Sequence, residues 1–242
     1  MQPESDRLLT SSDTRAVCLL SGGLDSATAL AWGMRKQGWE CHTIAFDYGQ
    51  RHRIEIAASA QIATAMQAAS HRVLAVDLRA IGGSALTDNI AVPKDGGNRN
   101  SDTPITYVPA RNLIFLSLAA GLAETLHANH LIIGANIIDY SGYPDCRPAF
   151  LEAFANTVNL ATQAGTHGQR MTIDAPLLQL SKAEIIRLGM ELGVDYALTR
   201  SCYDPDPNGT PCGGCDSCRF RAQGFAELGL NDPLLQQPTP QP

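Results

Sequence analysis

Arg15-Ala16-Val17-Cys18-Leu19-Leu20 runs directly into Ser21-Gly22-Gly23-Leu24-Asp25-Ser26. The first six residues form a short apolar run, which reads as a buried strand. Gly22-Gly23 ends it. Ser26 to Gln37 then places Ala27, Leu30, Ala31 and Met34 on one helical face. A strand that turns through two glycines into a helix is an anion site in the making. Glycine lets the backbone approach a phosphate closely, and the free amides of a helix start, with the helix dipole, favour negative charge. Ser21 and Ser26 add hydroxyl donors. Asp25 is the odd member, because a carboxylate repels phosphates unless a cation, here Mg²⁺, lies between them.

The same alternation continues outward. Cys41–Phe46, Val73–Val76, Leu131–Ile133 and Met171–Ile173 read as further strands. Between them Arg53–Ala69, Ala110–His127, Arg147–Ala164 and Ser181–Leu192 read as helices. Strands alternating with helices predict a doubly wound α/β fold with a parallel sheet of about five strands. Ligands of such sheets bind outside the carboxyl ends of the strands, at a switch in strand order. Residues 79–108, rich in Gly and Pro, form a long loop of the kind that carries function.

Other segments fall at strand ends. Phe46-Asp47-Tyr48-Gly49-Gln50-Arg51-His52 closes the second strand, and Asp47 serves either as a helix cap or as a site residue. Tyr107-Val108-Pro109-Ala110-Arg111-Asn112 puts the cation Arg111 at a helix start, where the dipole disfavours it unless an anion is near. Ser181-Lys182-Ala183-Glu184 is a capping box, which explains Ser181 and Glu184 but not Lys182. Only three lysines occur, Lys36, Lys94 and Lys182, so Lys182 in a first helical turn reads as a phosphate contact. After the fourth strand, Asp139-Tyr140-Ser141-Gly142-Tyr143-Pro144-Asp145-Cys146-Arg147 offers carboxylates, tyrosines and an arginine that suit a flat heterocycle, or else a polar surface loop.

Four of the seven cysteines, Cys202, Cys212, Cys215 and Cys218, fall within seventeen residues. Two Cys-x-x-Cys steps and a fourth cysteine fit a closed tetrahedral zinc site, structural because no position is left for water. An iron–sulfur cluster is the chemical rival. The organisation expected is a tail over 1–14, the α/β domain over 15–198, a small zinc-binding appendage over 199–229 and a Pro/Gln-rich tail over 230–242. A formal net charge of −6 argues against a broad nucleic-acid face. No segment reads as a membrane span or signal peptide, which predicts a cytoplasmic protein. Neither Gly-Lys nor Gly-x-Gly-x-x-Gly occurs, so the loop is neither a Walker A nor a dinucleotide fingerprint.

The Ser21–Ser26 loop resembles the pyrophosphate loop of the N-type ATP pyrophosphatases. With Asp47–His52, Tyr107–Asn112, Asp139–Arg147, Ser181–Glu184 and the Cys212-Gly213-Gly214-Cys215-Asp216-Ser217-Cys218 knuckle, the chain resembles the 7-cyano-7-deazaguanine synthase family over nearly its whole length. Departures are small: Arg200 stands where an aromatic is common and Ala149 where an acid is common. The resemblance implies an adenine nucleotide alpha hydrolase-like fold. It implies a ligase that turns 7-carboxy-7-deazaguanine and ammonia into a nitrile with two Mg-ATP, in queuosine biosynthesis. It implies nucleotide contacts along Leu20, Ser21, Gly22, Gly23, Leu24, Asp25, Ser26, Ala27, Thr28, Ala29 and Leu30, with Asp47, Arg111 and Lys182 alongside. Catalytic roles fall to Ser21, Asp25, Ser26 and Lys182, and substrate contacts to Asp139, Tyr140, Tyr143, Asp145 and Arg147. Small molecules are the expected partners, with no stable nucleic acid and no membrane; a homodimer is compatible with the sequence. Two rivals keep the loop: a tRNA thiolase or amidine-forming ligase, which the acidic chain disfavours, and a non-enzymatic nucleotide sensor.

Overall fold

The computed structural model describes residues 14–95, 103–138 and 142–236. The expected tails at 1–13 and 237–242, part of the long loop, and Asp139, Tyr140 and Ser141 lie outside the described residues.

Five strands form one parallel sheet in the order β3-β2-β1-β4-β5: β1 Arg15–Leu19, β2 Glu40–Asp47, β3 Ser70–Ala75, β4 His130–Ile132 and β5 Thr172–Asp174. Alternation within β1 shows why it sits at the centre. Val17 and Leu19 enter one apolar cluster, and Ala16, Cys18 and Leu20 the opposite one. A strand buried on both faces must be apolar throughout.

Helices α1 (Leu24–Ala31), α2 (Ile54–Ala65), α6 (Lys182–Glu191) and α7 (Asp216–Glu227) contribute to the cluster around Leu20. Helices α3 (Arg111–Thr125) and α4 (Pro148–Ala161) contribute to the cluster around Val17, and the short α5 spans Gln163–Thr166. The layers are those expected, and the boundaries moved by one to four residues. Helix α1 ends in a π-helical turn, Trp32–Lys36. There Gly33 packs so closely under Ile132 that a Cβ would come within 2.4 Å of its Cδ1.

The chain order reverses at one place. β1 pairs with β2 on one side and β4 on the other, so loops leaving β1 and β4 diverge and open a crevice between them.

The segment after α7, expected to be tail from residue 230, is tied down in part. Asp232 forms a two-pronged ion pair with Arg221, at 2.6 Å to Nε and 2.8 Å to Nη2. Both side chains are under a tenth exposed.

Candidate active site

The crevice at the β1/β4 reversal is a cleft of about 240 Å³. On one side are Leu20, Ser21, Gly23, Leu24, Asp25 and Ser26. Facing them are Ile133, Gly134, Ala135 and Asn136, which follow β4, Arg111 and Asn112 from α3, and Tyr143 and Cys146. Arg200–Tyr203 and Lys182 close it from the C-terminal side.

The loop is held by contacts local sequence does not reveal. Gly22 has φ +89°, and a Cβ there would lie 2.2 Å from the carbonyl oxygen of Glu55 on α2. Glycine is therefore required on both conformational and steric grounds. Its own carbonyl accepts the Arg200 amide at 2.8 Å, and the Leu24 amide donates to Ser201 Oγ at 3.2 Å. Ser26 Oγ lies 3.0 Å from both the Gly23 carbonyl and Ser21 Oγ. Ser21 itself is exposed to the cleft. The amides of Asp25 and Ser26 belong to the first turn of α1, where a helix supplies no acceptor of its own.

Lys182 Nζ donates to Asp25 Oδ1 at 2.6 Å, and the lysine side chain is only 8% exposed. The capping box around it is present, with both reciprocal hydrogen bonds. The misplaced cation thus has a carboxylate beside it, and the two together line the cleft beside the Ser21–Ser26 loop.

Ala27, Thr28, Ala29 and Leu30 are not at the cleft wall. All four are fully buried, with Thr28 Oγ1 bonded to Leu24 O and Tyr196 OH. They support the loop from beneath: Ala27, Ala29 and Leu30 pack into the apolar cluster around Leu20. Asp47 also stands back from the cleft: it caps nothing on α2 and pairs with Arg53, while Tyr48, Gln50, Arg51 and His52 line the opening.

Arg111 is the first residue of α3, held there by an unusual start. Ala110 adopts a left-handed φ of 55°, and its amide donates to Tyr107 OH at 2.9 Å. Such a conformation costs a non-glycine residue about 1 kcal/mol or more and is characteristic of functional sites. The guanidinium lies 5.8 Å from the centre of the Tyr48 ring, beside the stacked Phe46–Phe115 pair at 4.0 Å. Aromatic faces and a fixed cation suit a flat, anionic ligand.

Of the polar loop, Tyr143 reaches the cleft and donates to or accepts from Thr106 Oγ1 at 2.9 Å. Asp145 is buried behind it, where Oδ2 accepts the Asn112 amide at 2.9 Å and so caps α3. Burial raises its carboxyl, and that hydrogen bond and Arg111 pull the other way. Arg147 is exposed and precedes α4, away from the cleft lining. Among the lining residues Glu55 and Ser201 had no sequence signal, whereas Cys146 belongs to the polar loop singled out above and accepts Asn112 Nδ2–H at 3.3 Å.

Cys202, Cys212, Cys215 and Cys218 converge, with all four sulfur atoms within 4.8 Å of one another. A tetrahedral ion with metal–sulfur bonds near 2.3 Å needs sulfur separations of about 3.8 Å, so small adjustments suffice and the group can hold a metal ion. Backbone amides already point at the sulfurs: Cys212 N–H and Asp204 N–H donate to Cys202 Sγ, and Cys215 N–H to Cys212 Sγ, at 3.2–3.4 Å. Such hydrogen bonds orient ligands and temper thiolate charge.

Residues 15–229 match the model of queuosine biosynthesis protein QueC. The chain belongs to that family. It is 56% identical over 226 residues to the 7-cyano-7-deazaguanine synthase of Pseudomonas syringae pv. tomato, covering 93% of this chain and 98% of the relative. It is 57% identical over 224 residues to the protein of the same name from Alcanivorax borkumensis, covering 92% and 99%. Among solved structures it is similar to an NH3-dependent NAD synthetase from Campylobacter jejuni, at 12% identity and a TM-score of 0.41, over 78% of this chain and 68% of the other. No described helix is long and apolar enough to cross a membrane.

Proposed function

We propose that this family member is a 7-cyano-7-deazaguanine synthase, an ATP-dependent carbon–nitrogen ligase of queuosine biosynthesis acting in the cytoplasm. The observation that carries the reading is one cleft in which the Ser21–Ser26 loop faces Arg111, Tyr48 and Tyr143 across the strand reversal. The first half suits a nucleotide and the second a flat carboxylate.

A carboxylate is a poor electrophile. Its oxygen attacks the α-phosphorus of ATP, pyrophosphate leaves, and the acyl carbon acquires AMP as a leaving group. Ammonia then forms the C–N bond as the C–O bond to AMP breaks, giving an amide. A second ATP adenylates the amide oxygen. Loss of AMP together with the remaining N–H protons leaves the cyano group. In this reading the first-turn amides of α1, Ser21, Ser26 and Lys182 hold the departing pyrophosphate, and Arg111 fixes the substrate carboxylate. Bound Mg²⁺ would supply further charge neutralisation, with Asp25 as its carboxylate on the loop.

The donor set of four cysteines on amide-lined turns favours zinc, as a structural ion joining the appendage to the domain. The appendage in turn contributes Ser201 to the phosphate loop.

The test is incubation of the full-length, metal-loaded chain with ATP, Mg²⁺, ammonium and 7-carboxy-7-deazaguanine. The expected result is the cyano product by mass spectrometry with two AMP and two pyrophosphate per turnover. Folded, metal-loaded protein that releases no cyano product sinks the reading.

A further inference from the structure

The reaction proposed above takes its nitrogen from a species that is ammonium at neutral pH, and every later step strips protons from that nitrogen. Something in the cleft must accept them. Two carboxylates line the cleft among the described residues, Asp25 and Glu55. Asp25 is engaged by Lys182 at 2.6 Å. Glu55 makes no ion pair or side-chain hydrogen bond with any described residue.

The fold fixes where Glu55 stands. It lies in the first turn of α2. Its backbone oxygen lies so near Gly22 that no Cβ fits between them, so α2 packs directly against the Ser21–Ser26 loop. Its carboxyl faces Tyr48, from the loop after β2, and Arg111, from α3. Asp25, Lys182, His52 and Tyr143 line the same cleft. Glu55 therefore sits where the loop that releases pyrophosphate meets the wall that holds the carboxylate substrate, which is where the acyl carbon must lie. Burial pushes its carboxyl up to about 7, against the opposing effect of Arg111, and a base in that range is matched to work at neutral pH.

We infer that Glu55 is the proton acceptor of the amination, taking a proton from ammonium as its nitrogen attacks the adenylated carbon. The inference rests on the synthase reading. An N–H bond of ammonium breaks and an O–H bond forms on Glu55. The freed lone pair forms the C–N bond, and AMP departs with the C–O electron pair. Glu55 returns that proton to solvent and then accepts the second from the protonated amide nitrogen, which leaves the neutral amide.

The experiment compares wild type, Glu55→Gln and Glu55→Asp as full-length, metal-loaded proteins checked for fold by circular dichroism. Pyrophosphate formation without ammonium reads adenylation. Cyano product against pH and ammonium concentration reads the nitrogen steps. Glu55→Gln should adenylate within threefold of wild type, form product at least about 100-fold more slowly, and lose the rise in rate centred near pH 7. Glu55→Asp should recover part of both. His52→Asn should keep that rise, which separates the carboxyl of Glu55 from the imidazole that lines the same cleft. A Glu55→Gln protein that keeps the pH rise overturns the inference. So does one that loses affinity for the carboxylate substrate at unchanged kcat, which would make Glu55 a substrate anchor. A wild-type protein that yields no cyano product refutes the underlying synthase reading and this inference together, a result distinguishable from either of those.

Discussion

Lys182 Nζ and Asp25 Oδ1 meet at 2.6 Å across 157 residues of sequence, joining the first turn of α6 to the first turn of α1. The lysine is electrostatically awkward at a helix N-terminus, and the carboxylate beside it neutralises that charge. Taking Asp25 away leaves an ammonium only 8% exposed without that carboxylate. Asp25→Ala should therefore cost about 2–4 kcal/mol, a fall of about 5–12 °C in Tm for a chain of this size, as well as turnover. Asp25→Ala combined with Lys182→Met should regain most of the stability and none of the activity. Thermal melts and the pyrophosphate assay on both variants check this; an Asp25→Ala melt superimposable on wild type would show that the pair contributes nothing to the fold.

Glu55 makes a stability prediction independent of any substrate. Its folded carboxyl is raised from an ordinary 4.5 to about 7. The folded state thus binds this proton more tightly than the unfolded chain, and the contribution runs against the usual carboxylate. Below about pH 4.5 Glu55 costs nothing. As pH rises through 7 the folded state loses stability relative to a neutral residue, by about 1–3 kcal/mol at the plateau. Glu55→Gln should accordingly be more stable than wild type at pH 8 and equal to it near pH 4.5. Denaturant titrations at the two pH values measure the difference; equal gains at both would mean that the carboxyl is not titrating in the cleft.

The frame of this molecule was legible because its signals are local. Val17, Cys18 and Leu19 announce a doubly buried strand, Gly22-Gly23 the turn, Ser181 with Glu184 a helix start, and the Cys212–Cys218 spacing a metal knuckle. What was not legible is what arises only when distant segments meet. Glu55 looked like any acid in an alanine-rich helix, because its role depends on the approach of α2 to Gly22. Ala27–Leu30 looked like an extension of the phosphate loop, yet all four are buried. That Asp145 caps α3 by accepting the Asn112 amide, 33 residues away, had no local signal either. Asp232 fell in a stretch whose Pro/Gln composition gives no hint that Arg221 waits beneath it.

That last pair ties the segment after α7 to the rest of the domain. Arg221 is 5% exposed, and besides Asp232 it donates only to Thr199 Oγ1 and the Tyr196 carbonyl among the described residues. Those partners are neutral, so loss of Asp232 strands a buried guanidinium. Truncation after Leu230 should lower stability by about 3–5 kcal/mol, and Asp232→Ala by most of that amount. Truncation after Gln236 should change it by less than about 0.5 kcal/mol. Urea melts of the three proteins decide it. Arg221 also lines the cleft, so the first two variants should show a raised KM for ATP.

The seven cysteines divide by environment, and thiol counting can read the division. Cys18, Cys41 and Cys146 are buried. Burial pushes Cys41 and Cys146 up to about 12 and Cys18 well above its ordinary value. At pH 8 about one in ten thousand of such thiols is a thiolate, and the thiolate is the species that reacts. The other four converge so that they can hold one metal ion, which would both occupy the sulfurs and hold the turns. Native metal-loaded protein at pH 8 should therefore show close to no thiols reacting quickly with a disulfide reagent. Stripping the metal with a chelator should expose four, with loss of the appendage's order and, through Ser201 and Arg200, of nucleotide binding. Adding zinc back should return both. Full denaturation should reveal all seven. Four fast thiols in protein that retains its metal would mean that the ion is bound elsewhere, and the cysteines would then need another explanation.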